Sequence, residues 1–253
     1  MPTRRQFLAH AAAAAALGPG LARAMGSDTE VGVGLLAHGP GAEARPKAVE
    51  QLMWEVSKRT SIDVRERPAL VDPATEAIWD WPLLVWIGTG AVPPLSPEAR
   101  ANLRRFLKAG GTLFIDDASP PGSDAFDASV REEIAALWPD GALQELGQDH
   151  TLYRTFYLLD RPHGRIRRRS ALYGVVFDDR SPILYARNDT FGAFGRDTLG
   201  RWLLPVVPGG SLQREMAFRT GLNLVMYATC LNYKRDQVHT TAILRRRRWK
   251  ADR

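Results

Sequence analysis

One cysteine, Cys230, stands in 253 residues, which excludes an internal disulfide framework and any multi-cysteine metal cluster. Five histidines, spread from His10 to His239, are too few and too scattered for a His-rich metal site. Neither a G-x-G-x-x-G fingerprint nor a Walker sequence is present, so no cofactor is expected. Gly32-Val33-Gly34 falls inside a strand candidate, where it cannot cradle a phosphate. No mature segment reads as a transmembrane span, which needs about 20 apolar residues. The body of the chain also lacks excess charge. Of the net +6, residues 1–24 hold +3 and residues 245–253 hold +5, leaving −2 between them. Charge speaks to partners only where it clusters, so the folded body gives no support to a nucleic-acid partner.

What is present is ordinary globular composition, 45% hydrophobic and 25% charged. Thr3-Arg4-Arg5-Gln6-Phe7-Leu8 precedes an Ala-rich apolar run, a Gly18-Pro19-Gly20 breaker and the small-x-small site Ala22-Arg23-Ala24. This is the order of a secretory signal, and Arg4-Arg5 followed by Phe7-Leu8 resembles the twin-arginine export motif. The expectation is a signal peptide over 1–24 cleaved near Ala24, a periplasmic mature protein, a single α/β domain over 25–238 and a basic tail over 239–253.

Apolar runs at Val31–Ala37, Leu83–Ile87 and Thr112–Ile115 read as buried strands, and Ile62–Arg65 as a short one. Helices separate them. Ala48, Val49, Leu52, Met53 and Val56 stripe the first. Ser96-Pro97-Glu98 starts the second, with Leu103 and Phe106 inward and Arg100, Arg104, Arg105 and Lys108 on a wet face, and Gly110-Gly111 stops it. Phe126, Val130, Ile134 and Leu137 stripe a third. Strands without polar alternation, separated by helices, predict a mainly parallel sheet in a three-layer α/β fold. In the second half, Leu152–Leu159, Leu172–Phe177 and Ile183–Ala186 read as strands, the last two joined by a turn at Asp178-Asp179. A long helix over Arg214–Lys234 has a seam of Ala217, Gly221, Leu224, Ala228 and Leu231, with Cys230 a core thiol.

Ligands of open parallel sheets bind beyond the carboxyl ends of the strands. That rule selects His38-Gly39-Pro40-Gly41, Gly88-Thr89-Gly90, Asp116-Asp117-Ala118-Ser119 and Arg187-Asn188-Asp189. Asp116 and Asp117 end an otherwise apolar strand. Paired carboxylates can share a proton, hold a hard cation or bind a hydroxyl, and they can equally cap a turn. His150, Arg180, Asn188 and Asp189 are expected to approach the aspartates from the second half. Arg161, Arg165, Arg167, Arg168 and Arg169 form, with His163, a basic loop: a solvated linker or a contact for an acidic partner.

Lys108-Ala109-Gly110-Gly111-Thr112-Leu113-Phe114-Ile115-Asp116-Asp117 resembles the class I glutamine-amidotransferase-like superfamily. With Arg131-Glu132 before Leu137-Trp138-Pro139, His150 before Tyr157, Arg180, Asn188-Asp189, and Gly221-Leu222-Asn223 before Tyr227, the chain more closely resembles an uncharacterised bacterial domain family of that fold. The resemblance spans roughly residues 30–235. It implies a cell-envelope protein with partners in an aerotolerance-type operon. The amidotransferase nucleophile is missing: no strand end carries a cysteine, or a serine in a Gly-x-Ser-x-Gly setting. The sequence thus predicts an exported, non-catalytic module that binds a partner protein or polar ligand at the carboxyl-end crevice. The alternatives are a carboxylate- or metal-dependent hydrolase using Asp116 and Asp117, and a module docking through its arginines.

Overall fold

The computed structural model of the chain describes residues 30–229. The expected signal peptide, Cys230 and the expected basic tail lie outside the described residues. Seven strands form one sheet: β1 (Val33–Leu36), β2 (Ala69–Val71), β3 (Leu83–Gly88), β4 (Thr112–Asp117), β5 (Leu143–Glu145), β6 (Tyr173–Phe177) and β7 (Arg180–Ala186). Their order is β2-β1-β3-β4-β7-β6-β5. The five from β2 to β7 run parallel, and β6 and β5 add antiparallel pairs. The β2-β1-β3-β4 order is that of doubly wound, flavodoxin-like sheets. The architecture is the expected three-layer α/β fold with an antiparallel extension.

Four helices cover the sheet: α1 (Pro46–Arg59), α2 (Pro97–Ala109), α3 (Ala125–Leu137) and α4, helical from 210 to the last described residue, 229. Side chains alternate between the two faces along each strand. Leu83, Val85 and Ile87 of β3 join the cluster of α1 and α4, while Leu84 and Trp86 join that of α2 and α3. Strands buried on both faces read as continuous apolar runs, which is why β1, β3 and β4 were legible in the sequence. Each fully buried Leu, Val or Phe contributes roughly 1.5–3 kcal/mol.

The local signals act as expected at α2. The Ser96 hydroxyl accepts from the Ala99 N–H at 3.1 Å, and Pro97 occupies the first turn. Gly110, with φ +124°, donates back to the Leu107 carbonyl and ends the helix. Gly221 of α4 is needed for close approach: a Cβ there would lie 2.7 Å from Leu52 of α1 and 3.0 Å from Phe194.

Three expectations are corrected. Ile62–Arg65 forms only a bridge, Val64 to Val31, and the edge strand is Ala69–Val71. Leu152–Leu159 is not a strand but a 3-10 turn (Thr151–Arg154) followed by irregular chain. Buried Asn223 of α4 takes the place of a sheet partner, accepting from the Tyr157 N–H and donating to the carbonyls of Leu152 and Tyr157, at 2.7–2.8 Å. Nor is the arginine face of α2 simply wet. Arg104 donates to the Leu137 and Ala136 carbonyls at 2.9 and 3.0 Å, closing the carboxyl end of α3, and Arg100 pairs with buried Glu133.

Candidate functional site

The carboxyl ends of β1, β3, β4 and β7 lie side by side, and strand alternation sends the two aspartates of β4 to opposite faces. Asp116 points to the α1–α4 side. It is fully buried, and its two oxygens accept from the Thr190 and Phe191 N–H groups at 2.8 Å each. It therefore holds the start of the 3-10 turn Phe191–Ala193. Burial, then repulsion from Asp189, pushes its pKa up to about 7.

Asp117 points to the α2–α3 side and is also fully buried. Its Oδ1 accepts from the Ser119 N–H at 3.0 Å, and its Oδ2 from Arg168 at 2.9 Å and Arg187 at 3.1 Å. Arg187, 3% exposed, continues to Asp124 and to Asp127 at 3.1 Å. Burial works to lower its pKa, but the hydrogen bonds to Asp124 and Asp117, with the charge of Asp127, outweigh it and push the pKa up. Asp127 in turn accepts from the Tyr185 hydroxyl at 2.8 Å.

Asp189 adopts a left-handed backbone (φ +48°) and carries the third buried carboxylate of this end. It receives Arg165, Arg45 at 3.3 Å, and the Gly192 N–H at 3.1 Å. Neighbouring Asn188 is 2% exposed and faces the arginine loop. Its Oδ1 accepts from the Arg168 and Arg169 N–H groups, and its Nδ2 donates to the Arg169 carbonyl, at 2.8–2.9 Å.

The rest of this end is closed by packing. Thr89 N–H donates to the Pro40 carbonyl, so the loops after β1 and β3 lie on each other. Where Gly88 lacks a side chain, the Phe126 ring fills the space. Two hydroxyls, Ser119 Oγ and Thr190 Oγ1, are buried there without a hydrogen-bond partner among the described residues. Among the described residues, no three His, Cys, Asp or Glu side chains are placed as metal ligands. A cavity of about 180 Å³ lies at this end beside the arginine loop, between Arg161, Arg167, Arg169 and Gln213.

The profile of one family, described as a domain of unknown function (DUF4159), matches residues 33–229, from the first residue of β1 to the last described residue of α4. The chain belongs to this family. No curated protein matches it. In this DUF4159 domain, Asp116, Asp117, Asn188 and Asp189 lie buried at the same end of the sheet; Asp117, Asn188 and Asp189 tie the arginine loop to it, and Asp116 holds the turn after β7.

Two expected members of the site are elsewhere. Arg180 opens β7 while Arg187 follows its end, so the seven-residue strand separates them by roughly 20 Å. There Arg180 donates to the Gly110 and Gly111 carbonyls at 3.0 Å and to that of Leu107, capping α2. His150 lies at the same amino edge, 3.1 Å from the Ser181 hydroxyl, beside the rings of Tyr153 and Tyr227. Burial lowers its pKa. The sequence places Arg187 in a carboxyl-end loop but not among the ligand-binding candidates, and nothing local marks Arg45 or Gln213 as parts of this end. Arg187 had a usable signal, since it directly follows a strand that ends beside Asp116.

Proposed function

We propose that this DUF4159 chain is an exported, non-catalytic binding module of the bacterial cell envelope. Its partner protein or polar ligand is taken at the carboxyl end of the sheet, on the arginine loop rather than at the aspartates. One observation carries the reading. Asp116 and Asp117 are 0% exposed and every carboxylate oxygen of theirs is already hydrogen-bonded, whereas Arg161, Arg167 and Arg169 face solvent. A hydrolytic carboxylate must reach a substrate or a water; Asp117 instead holds Arg168 of the loop that presents the guanidiniums, and Asp116 holds the turn after β7. The twin-arginine signal supports export.

Complementation of a deletion strain tests the binding face. Substituting Gln for Arg161, Arg167 and Arg169 should abolish function at unchanged abundance. Asp116→Asn and Asp117→Asn should impair function only as far as abundance falls. Loss of function in the aspartate variants at full abundance would instead restore the carboxylates as the working groups. Export is tested by Arg4→Lys with Arg5→Lys, which should leave a cytoplasmic precursor; normal periplasmic accumulation would overturn it.

A further inference from the structure

We infer that the cavity beside the arginine loop is a site for a phosphoryl group, free or borne on a small organic molecule. The inference rests on the reading of the arginine loop as the binding face and names what that face takes. Four arginines and His163 line the cavity, and no carboxylate does. Arg168 is committed to Asp117, but the other three are available. Among the described residues, the Arg167 side chain makes no hydrogen bond or ion pair, and the Arg169 side chain donates only to the Arg168 carbonyl, at 3.3 Å. Among the described residues Arg161 pairs only with exposed Asp160, at 3.3 Å, and such exposed pairs are worth little.

The loop is held in shape from behind. Asn188 fixes the backbone at Arg168 and Arg169. Gln213, 2% exposed, donates to the carbonyls of Gly164, Arg165 and Val207 at 2.8–3.2 Å. Gln213 belongs to the first turn of α4, so the amino end of a long helix borders the cavity and adds its positive dipole end. Two buried amides thus fix a loop bearing three outward guanidiniums, and the ordering cost falls in folding rather than in binding. A carboxylate is satisfied by one forked guanidinium. Several arginines lining one cavity suit the three terminal oxygens and greater charge of a phosphoryl group. A cavity of about 180 Å³ is scaled to a small ligand.

Calorimetric titration of the purified full chain with inorganic phosphate, glycerol phosphate and acetate tests this. Saturable binding of one or both phosphates is expected, with acetate at least about tenfold weaker. Tighter glycerol phosphate marks an organic phosphate as the source, and tighter inorganic phosphate marks the free ion. Arg161→Gln/Arg167→Gln/Arg169→Gln should weaken phosphate at least about tenfold while retaining the wild-type melting profile. Arg105→Gln, on exposed α2 surface, should bind as wild type. No saturable phosphate binding, equal binding of acetate, or unchanged affinity in the triple variant would each overturn the assignment. If phosphate fails but the triple variant loses function in cells at full abundance, the phosphoryl assignment falls and the binding face stands. If the triple variant also complements fully, both fall.

Discussion

Asp116 and Asp189 hold the same turn from two sides. Asp116 accepts the Thr190 and Phe191 N–H groups and Asp189 the Gly192 N–H, yet only Asp189 has guanidiniums beside it as partners. Asp116, buried next to that second carboxylate, has its pKa pushed from 3.8 to about 7. Between these values the folded protein binds a proton that the unfolded chain has lost. The stabilisation is full below about pH 4 and is lost as pH rises through about 7, on the order of 4 kcal/mol. Asp116→Asn should remove this slope. His150 and His163, with pKa values lowered by burial, act in the opposite sense. The difference between wild-type and variant melting temperatures from pH 5 to 8 therefore isolates Asp116. Parallel curves would contradict the assignment.

Asp117 joins Arg168 of the loop to Arg187 of the sheet. Removing one partner of a buried ion pair leaves an uncompensated charge and costs about 3–5 kcal/mol, whereas loss of a simple cap costs about 0.5–2 kcal/mol. Asp117→Ala should show the larger loss in urea denaturation. A double-mutant cycle with Arg168→Ala should give a coupling of about 0.5–3 kcal/mol. A small loss with no coupling would reduce Asp117 to a cap for Ser119.

The contrast between what was legible and what was not follows from chain distance. β3 and β4 are continuous apolar runs, and Ser96-Pro97 and Gly110-Gly111 bracket α2 by local chemistry alone. Asp116 and Asp117 stood out because a polar pair closes an apolar strand. The pairing of Asp117 with Arg168 and Arg187 did not, since these lie 51 and 70 residues away and no local period links them. Arg180 was misassigned against an available cue: a residue that opens a strand parallel to β4 belongs at the amino edge. Leu152–Leu159 carried the apolar content of a strand, and only the distant Asn223 decides that its backbone is satisfied without one.

Leu103 and Arg104 test the two sides of α2. Leu103 is 0% exposed, and Leu103→Asp would bury an unpaired charge at a cost of several kcal/mol. Arg104→Asp removes the donors to two α3 carbonyls and places a negative charge at that helix's carboxyl end. It should cost about 1–2 kcal/mol, more than a change on an idle wet surface. Denaturation midpoints rank them; a neutral Arg104→Asp would show that α3 does not depend on this cap.

Gly88 and Phe126 decide whether the carboxyl end is closed by packing or only by charge. A Cβ on Gly88 would lie 1.8 Å from the Phe126 ring, and that ring also meets Trp86 and Tyr185 edge-on. The absent side chain is thus a space requirement, since the Gly88 backbone needs no left-handed conformation. Gly88→Ala forces the ring or β3 to move and should cost about 1–3 kcal/mol. Phe126→Leu removes the obstruction at its own cost, and on that background Gly88→Ala should become nearly neutral. Additive losses in the double variant would mean that the end of β3 tolerates a side chain by other adjustments. The coupled result would establish an aromatic plug over the strand ends, with the arginine loop as the polar surface left accessible beside it.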